Sequence, residues 1–314
     1  MNVLASIFGL GVAIRNRLYE RGIFNISRLQ GPVISVGNLS VGGSGKTPFV
    51  MMLGELLARR GILFDVLSRG YGRRSRGIAL VDPNGSAEEF GDEPILIARK
   101  LGVPVIVGED RFRAGTFAES EFGPQLHLLD DGFQHRALAR DFDIVLVSQE
   151  DSADRLLPSG RLREPLTSLR RADAVVLTNS VAAESFPLDG KLIWSIRRGI
   201  VASDVPDRPI VFCGIGRPKT FVMQLRDAGI TPVAESFYRD HHAYTGEDVK
   251  ALLKMREENG ADGFVTTEKD AINLGKFRAA LGNLSVVPVT LELEDAANAV
   301  DAMLRIIHER RPQA

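Results

Sequence analysis

Short apolar runs rich in Val, Ile and Leu alternate along the chain with longer stretches of helical period, the pattern of an α/β protein built on largely parallel sheets. Residues 32–36 read as a strand, followed by a glycine-rich loop and a helix over about 46–60 that Gly61 closes as a C-cap residue. Further strands are expected at 62–67, 103–107, 126–129 and 144–147, which ends a first domain near residue 150. Residues 151–165, with two prolines, a glycine and several charges, read as a connecting loop. A second, smaller α/β unit follows, with strands at 174–177, 209–213, 264–266 and 286–291 and helices at 218–228, 246–258 and 296–309.

Ahead of the first strand, Val3, Ile7, Leu10, Ile14 and Leu18 recur at three- and four-residue steps, giving one apolar helical face with Arg15, Arg17 and Arg21 at its far end. The apolar stretch is too short to cross a bilayer, which takes about twenty residues. Its arginines follow it rather than precede it, so it is expected to stay on the mature chain. Two placements suit such a face: a membrane interface, where arginines meet lipid phosphates, or the body of the protein itself. The expected organisation is therefore a helix in residues 1–30, a nucleotide-binding domain in 31–150 and a second domain in 151–314.

Net charge is only −1 over 314 residues, so no global field favours a nucleic-acid partner, and anion binding must come from local clusters. The single cysteine, Cys213, sits in an apolar run and reads as a core residue.

The strongest chemical signal is Ser40-Val41-Gly42-Gly43-Ser44-Gly45-Lys46-Thr47, set between a predicted strand and a predicted helix. Glycines there let backbone N–H groups face phosphates, Lys46 reaches the β and γ oxygens, and Thr47 holds Mg²⁺. Ser40 stands where the usual pattern has its first glycine. A metal-binding acid should follow a hydrophobic strand, and Asp130-Asp131 does so after residues 126–129; the spacing ranks neither above the other. No Asn-Lys-x-Asp guanine reader is present, which favours ATP as the nucleotide.

A hydroxyl acceptor needs a base, and Asp92 at the start of a helix, with Asp240-His241-His242 after a strand-like run, supplies carboxylates and imidazoles for it. Taken alone, Asp92 reads as a helix cap before it reads as a base. Arg69, in the glycine-rich segment 68–76, suits phosphate recognition, and Arg111 and residues 161–164 are weaker candidates of that kind.

With these segments placed, the chain resembles the tetraacyldisaccharide 4′-kinase family along its whole length. The resemblance is carried in order by Gly37-Asn38-Leu39-Ser40 with the phosphate loop, Leu67-Ser68-Arg69-Gly70-Tyr71, Gly91-Asp92-Glu93-Pro94, Asp130-Asp131-Gly132-Phe133-Gln134-His135, Leu162-Arg163-Glu164-Pro165-Leu166, Asp240-His241 and Thr267-Glu268-Lys269-Asp270. It implies a P-loop NTPase-like fold and transfer of the γ-phosphate of Mg-ATP to the 4′-hydroxyl of tetraacyldisaccharide 1-phosphate, a glycolipid, in lipid A assembly. It further implies that Asp92 is the base, helped by His241, and that Lys46 and Thr47 hold phosphate and Mg²⁺ beside Asp130 and Asp131. Glu164 would lie near the nucleotide, and Arg69, Arg111 and Arg163 would contact anionic substrate groups. The expected setting is the cytoplasmic face of the bacterial inner membrane, reached as a peripheral monomer through the first helix.

Overall fold

The computed structural model describes residues 3–43, 45–178 and 181–311. Helix α1 (Val3–Glu20) leads into β1 (Val33–Asn38), whose six residues are all buried, as the central strand of a two-sided parallel sheet requires. After the phosphate loop come α2 (Lys46–Arg59), β2 (Phe64–Ser68), the short β3 (Ala79–Leu80), α3 (Ala87–Phe90) and α4 (Asp92–Leu101). Helix α2 ends as expected: Gly61 at φ +71° donates to Ala58 O, and Ile62 donates to Leu57 O, the paired bonds of a left-handed C-terminal cap. The chain continues through β4 (Val105–Val107), α5 (Arg111–Phe122), β5 (Leu126–Asp130), β6 (Phe142–Leu146), β7 (Ala174–Thr178) and β8 (Leu192–Ile200). It then runs through β9 (Pro209–Cys213), α6 (Pro218–Asp227), β10 (Ala234–Phe237), α7 (Gly246–Glu258), β11 (Gly263–Thr267) and α8 (Glu268–Leu274). The last elements are β12 (Leu284–Val287), β13 (Val289–Leu293) and α9 (Ala296–Arg310).

Nine strands form one sheet in the order β13-β8-β7-β6-β1-β5-β2-β4-β3, parallel except at its two edges, where β13 and β3 run antiparallel to their neighbours. Four strands form a second, all-parallel sheet, β10-β9-β11-β12. This is the mixed α/β class expected. The main core lies between the large sheet and α2, α4 and α9, with Phe49, Leu53, Ile95, Phe142 and Val300 fully buried.

The sheets do not divide where the sequence suggested. Strands β7, β8 and β13 and helix α9, all beyond residue 150, belong with the large sheet, and the second sheet takes only residues 209–287. The strand expected at 286–291 is two strands in different sheets, separated by Pro288, which has no N–H to continue a ladder.

Helix α1 docks through Asn16 and the half-buried Phe8, Gly9, Val12 and Tyr19, and Leu18 of the predicted apolar face is also half-buried. Asn16 is its buried residue, while Val3, Ile7, Leu10 and Ile14 are more than half exposed. Cys213 is buried among apolar neighbours, with its thiol pKa pushed above the usual range by burial and then by Asp270.

Candidate active site

Strand β1 lies between β5 and β6: the chain leaves it for β2, β3 and β4 on the β5 side and crosses to its other side only with β6. Such a switch point opens a crevice beyond the carboxyl ends of the strands, and the phosphate loop occupies it. Gly42 and Gly45 take φ of +93° and +83°, a region closed to most side chains and suited to turning N–H groups toward an anion. Ser40 is buried, and its carbonyl accepts from Asn38 Nδ2 at 2.7 Å, which braces the start of the loop. Val41 is exposed and is tied back by its N–H to Arg161 O. Ser44 lies outside the described residues. Across the loop, Gly216 from the second sheet packs on Gly43 so closely that a Cβ there would come within 2.4 Å of Gly43 N.

A cavity of about 480 Å³ sits between the two sheets, walled by residues 41–43 and 45–47 of the loop, by Asp130 and Asp131, and on the far side by His241 and Lys269. Lys46 Nζ reaches 3.1 Å from Asn38 Oδ1 and 3.6 Å from Asp131 Oδ1. Arg163 grips Asp131 with two bonds, at 3.0 and 2.9 Å, and also donates to Asn38 Oδ1. Asp131 is about a third exposed; desolvation works against its charge, but these two cations hold its carboxyl well below the usual range. Its φ is +49°, so the backbone is held in a conformation few non-glycine residues adopt.

Asp130 is treated differently. Its Oδ2 accepts from Ser68 Oγ at 3.1 Å, while its buried Oδ1 has no hydrogen-bond partner among the described residues. Burial, then the charges of Glu93 and Asp131, push its pKa up to about 7. An orphaned carboxylate oxygen beside buried Thr47 and a phosphate loop fits a Mg²⁺ ion. Among the described residues no group of three His, Cys, Asp or Glu forms a complete cage. That thin donor set suits Mg²⁺, which takes one or two carboxylates and draws its other ligands from phosphate and water.

Asp92 and His241, from opposite parts of the chain, meet beside the cavity, which Asp240 and His241 line. Asp92, at the first turn of α4 and buried, receives His241 Nδ1 at 2.9 Å on Oδ1 and 3.0 Å on Oδ2. Glu93 N donates to Oδ1 at 2.9 Å and Asn273 Nδ2 to Oδ2 at 2.8 Å. Burial works against its charge, but the His241 hydrogen bond and Lys269 outweigh it, so the Asp92 pKa is lowered and the carboxylate is ionised at neutral pH. His241 has φ +58° and is anchored by its N–H to Gly214 O at 3.1 Å. His242 does not join the pair: its Nε2 lies 3.1 Å from Asp248 Oδ2.

Of the expected anion contacts, Arg69 and Arg163 line the cavity. Arg111 does not: it is buried at the start of α5, donates to Glu109 O at 2.8 Å, and its Nε has no partner among the described residues. It crowds His135, whose pKa is pushed down to about 4 by burial and then by Arg111 and Arg140. Glu164 is the clear displacement. It is fully buried away from the cavity, its carboxylate occupied by Asn16 Nδ2 at 2.8 Å, Ser168 Oγ at 3.1 Å and Arg171 Nη2 at 3.0 Å. With those donors it ties α1 to the body and has no free oxygen to offer a ribose. Asn38, Ser68, Lys269 and Asn273 were missed as site residues. Asn38 and Lys269 stand inside segments that carried the family resemblance, whereas Asn273 bears no local signal.

The family model for tetraacyldisaccharide-1-P 4′-kinase matches residues 1–308. A tetraacyldisaccharide 4′-kinase from Koribacter versatilis is 50% identical over 99% of this chain and 100% of its own length. One from Geobacter metallireducens is 38% identical over 96% and 97%. The crystal structure of LpxK from Aquifex aeolicus in complex with ATP superposes with a TM-score of 0.79 at 37% identity, covering 97% of both chains. A whole-chain family match and end-to-end relatives at this identity leave one assignment: the chain belongs to the tetraacyldisaccharide-1-P 4′-kinase family.

Proposed function

We propose that Asp92, oriented by His241, is the base with which this kinase moves the γ-phosphate of ATP to the 4′-hydroxyl of tetraacyldisaccharide 1-phosphate in lipid A biosynthesis. The observation that carries this reading is the 2.9 Å contact between an ionised, buried carboxylate and an imidazole from the other side of the cleft that lines the phosphate-loop cavity. The acceptor hydroxyl gives its proton to Asp92 as its oxygen bonds to the γ-phosphorus, and the bond to the bridging oxygen breaks to release ADP. Lys46 follows the charge on the β and γ oxygens. Thr47 and Asp130 would hold Mg²⁺, which neutralises phosphate charge as it is transferred. Arg163 and Lys46, which grip Asp131, are then the cations that phosphate competes for.

Arg69 at the cavity, with Arg111 behind it, forms a cationic side suited to an anionic acceptor such as a 1-phosphate. The second sheet, residues 209–287, is read as a closing unit joined through residues 201–208 and Pro288, excluding water from the cavity when both substrates are bound.

Membrane association is read as peripheral. Among the described residues no helix is long and apolar enough to cross a membrane. Helix α1 instead turns Val3, Ile7, Leu10 and Ile14 to solvent, and Ile23, Phe24 and Ile26 extend the apolar surface past its end. Docked on the body through one face, α1 keeps Val3, Ile7, Leu10 and Ile14 outward, and that exposed apolar stripe fits a lipid interface. The test is transfer of label from γ-labelled ATP to the 4′ position of tetraacyldisaccharide 1-phosphate in mixed micelles. Transfer lost in Lys46→Ala supports the reading, and label entering only a water-soluble sugar overturns it.

A further inference from the structure

Helix α8 brings two side chains, four positions apart and so on one face, to the Asp92–His241 pair. One is Asn273, which donates to Asp92. The other is Lys269, whose Nζ lies 3.2 Å from His241 Nε2, 3.1 Å from Asp240 Oδ1, 3.5 Å from Glu93 Oε1 and 4.0 Å from Asp92 Oδ2. We propose that Lys269 is a positioning residue that fixes the tautomer of His241: its ammonium donates to Nε2, so the ring proton sits on Nδ1 and is donated to Asp92. The inference rests on the reading of Asp92 as base.

An ammonium has three donors and no acceptor, so the 3.2 Å contact is a hydrogen bond only when Nε2 carries a lone pair. Burial works against the Lys269 charge, but Glu93, Asp92 and Asp240 outweigh it and raise its pKa, so the group stays an ammonium. Around the imidazole stand Asp92 and Glu93 from α4, Asp240 from its own loop, Lys269 from α8 and the ring of Tyr71 at 5.1 Å. Burial pulls the His241 pKa down and Asp92 pulls it up further, while Lys269 opposes Asp92. Protonating Nε2 would set two donors face to face, so the imidazolium and the Lys269 contact exclude one another. A neutral imidazole orients Asp92 without the full ion pair that would weaken it as a proton acceptor.

The experiment uses the full chain labelled with ¹⁵N-histidine and free of nucleotide, with the His241 signal assigned by its loss in His241→Gln. In the wild type at pH 8 the ring should be neutral, with the proton on Nδ1. In Lys269→Met the titration midpoint should rise by about one pH unit, a tenfold change in proton affinity. Turnover with the lipid acceptor at pH 7 should then fall about tenfold and recover as pH rises past the new midpoint, with KM for ATP little changed. Lys269→Arg, which keeps the charge, should restore the wild-type midpoint. A proton on Nε2 of the wild type, or an unchanged midpoint in Lys269→Met, overturns the proposal; the wild-type spectrum decides even if the variant fails to fold. A shifted midpoint with turnover indifferent to it upholds the role of Lys269 and overturns Asp92 as base.

Discussion

His241 Nδ1 lies 2.9 Å from Asp92 Oδ1, although 149 positions separate the two residues and Asp92 opens α4 beside the large sheet while His241 follows β10 of the second. Neither sheet alone holds the pair. The base and the group that orients it exist as a unit only when residues 209–287 sit against the nucleotide-binding sheet.

The same juxtaposition governs the phosphate loop. Gly216 touches Gly43, and an added Cβ would come within 2.4 Å of backbone nitrogen, which no side-chain adjustment relieves. Gly216→Ala should therefore weaken ATP binding by about tenfold, roughly the cost of one overpacked contact. Calorimetric titration with ATP checks this.

Asp130 Oδ1 has no partner among the described residues, whereas both oxygens of Asp131 are held by Arg163. Asp130→Asn should thus raise the Mg²⁺ concentration needed for half-maximal turnover by at least about tenfold, within the range of a lost metal contact. Protein stability should be little affected, because the lost charge was disfavoured by burial. Mg²⁺ titration of turnover, beside thermal unfolding, separates the two effects.

Far from the site, His127 is fully buried between Asp65, 2.9 Å from Nδ1, and Glu119, 3.2 Å from Nε2. Burial lowers its pKa, but the hydrogen bond and charge of Asp65, then those of Glu119, raise it above the ordinary value. A histidine with a raised folded pKa contributes stability fully below its unfolded pKa of about 6.5 and loses it as pH rises through the folded value. Burial also raises the pKa of Asp65, which makes stability fall in the same direction. Chemical denaturation should show a decline from pH 6 to pH 9, and His127→Gln should flatten it by on the order of 1 kcal/mol.

The outward apolar face of α1 makes a separate prediction. Ile7→Glu with Leu10→Glu should abolish co-sedimentation with anionic vesicles while leaving ATP binding intact, since both side chains are exposed and neither touches the cavity. Loss of ATP binding in this variant would make α1 part of the nucleotide site instead.

Much of this was legible in the sequence because some of the chemistry is contiguous. The phosphate loop and the Asp130-Asp131 pair are single segments at strand ends, and local pattern placed them. The Asp92–His241 contact is a tertiary event, and only family resemblance joined the two residues in advance. Lys269 and Asn273 ride on a helix of seven residues, too short to declare a face. Glu164 misled because it follows Arg163, which does line the cavity, while its own carboxylate serves α1. The sheet boundary was hidden by β8, whose Arg197, Arg198 and Gly199 do not read as a strand, and by Pro288, where one apolar run changes sheets.

The central claim is that Asp92 acts on the acceptor rather than on the nucleotide. Single-turnover transfer from labelled ATP to tetraacyldisaccharide 1-phosphate in Asp92→Asn, with ATP affinity measured on the same preparation, tests it most directly. The account predicts a rate lowered by about a hundredfold or more with ATP affinity nearly unchanged, the range for removing a general base. A near-normal rate, or a large loss of ATP affinity, would contradict it.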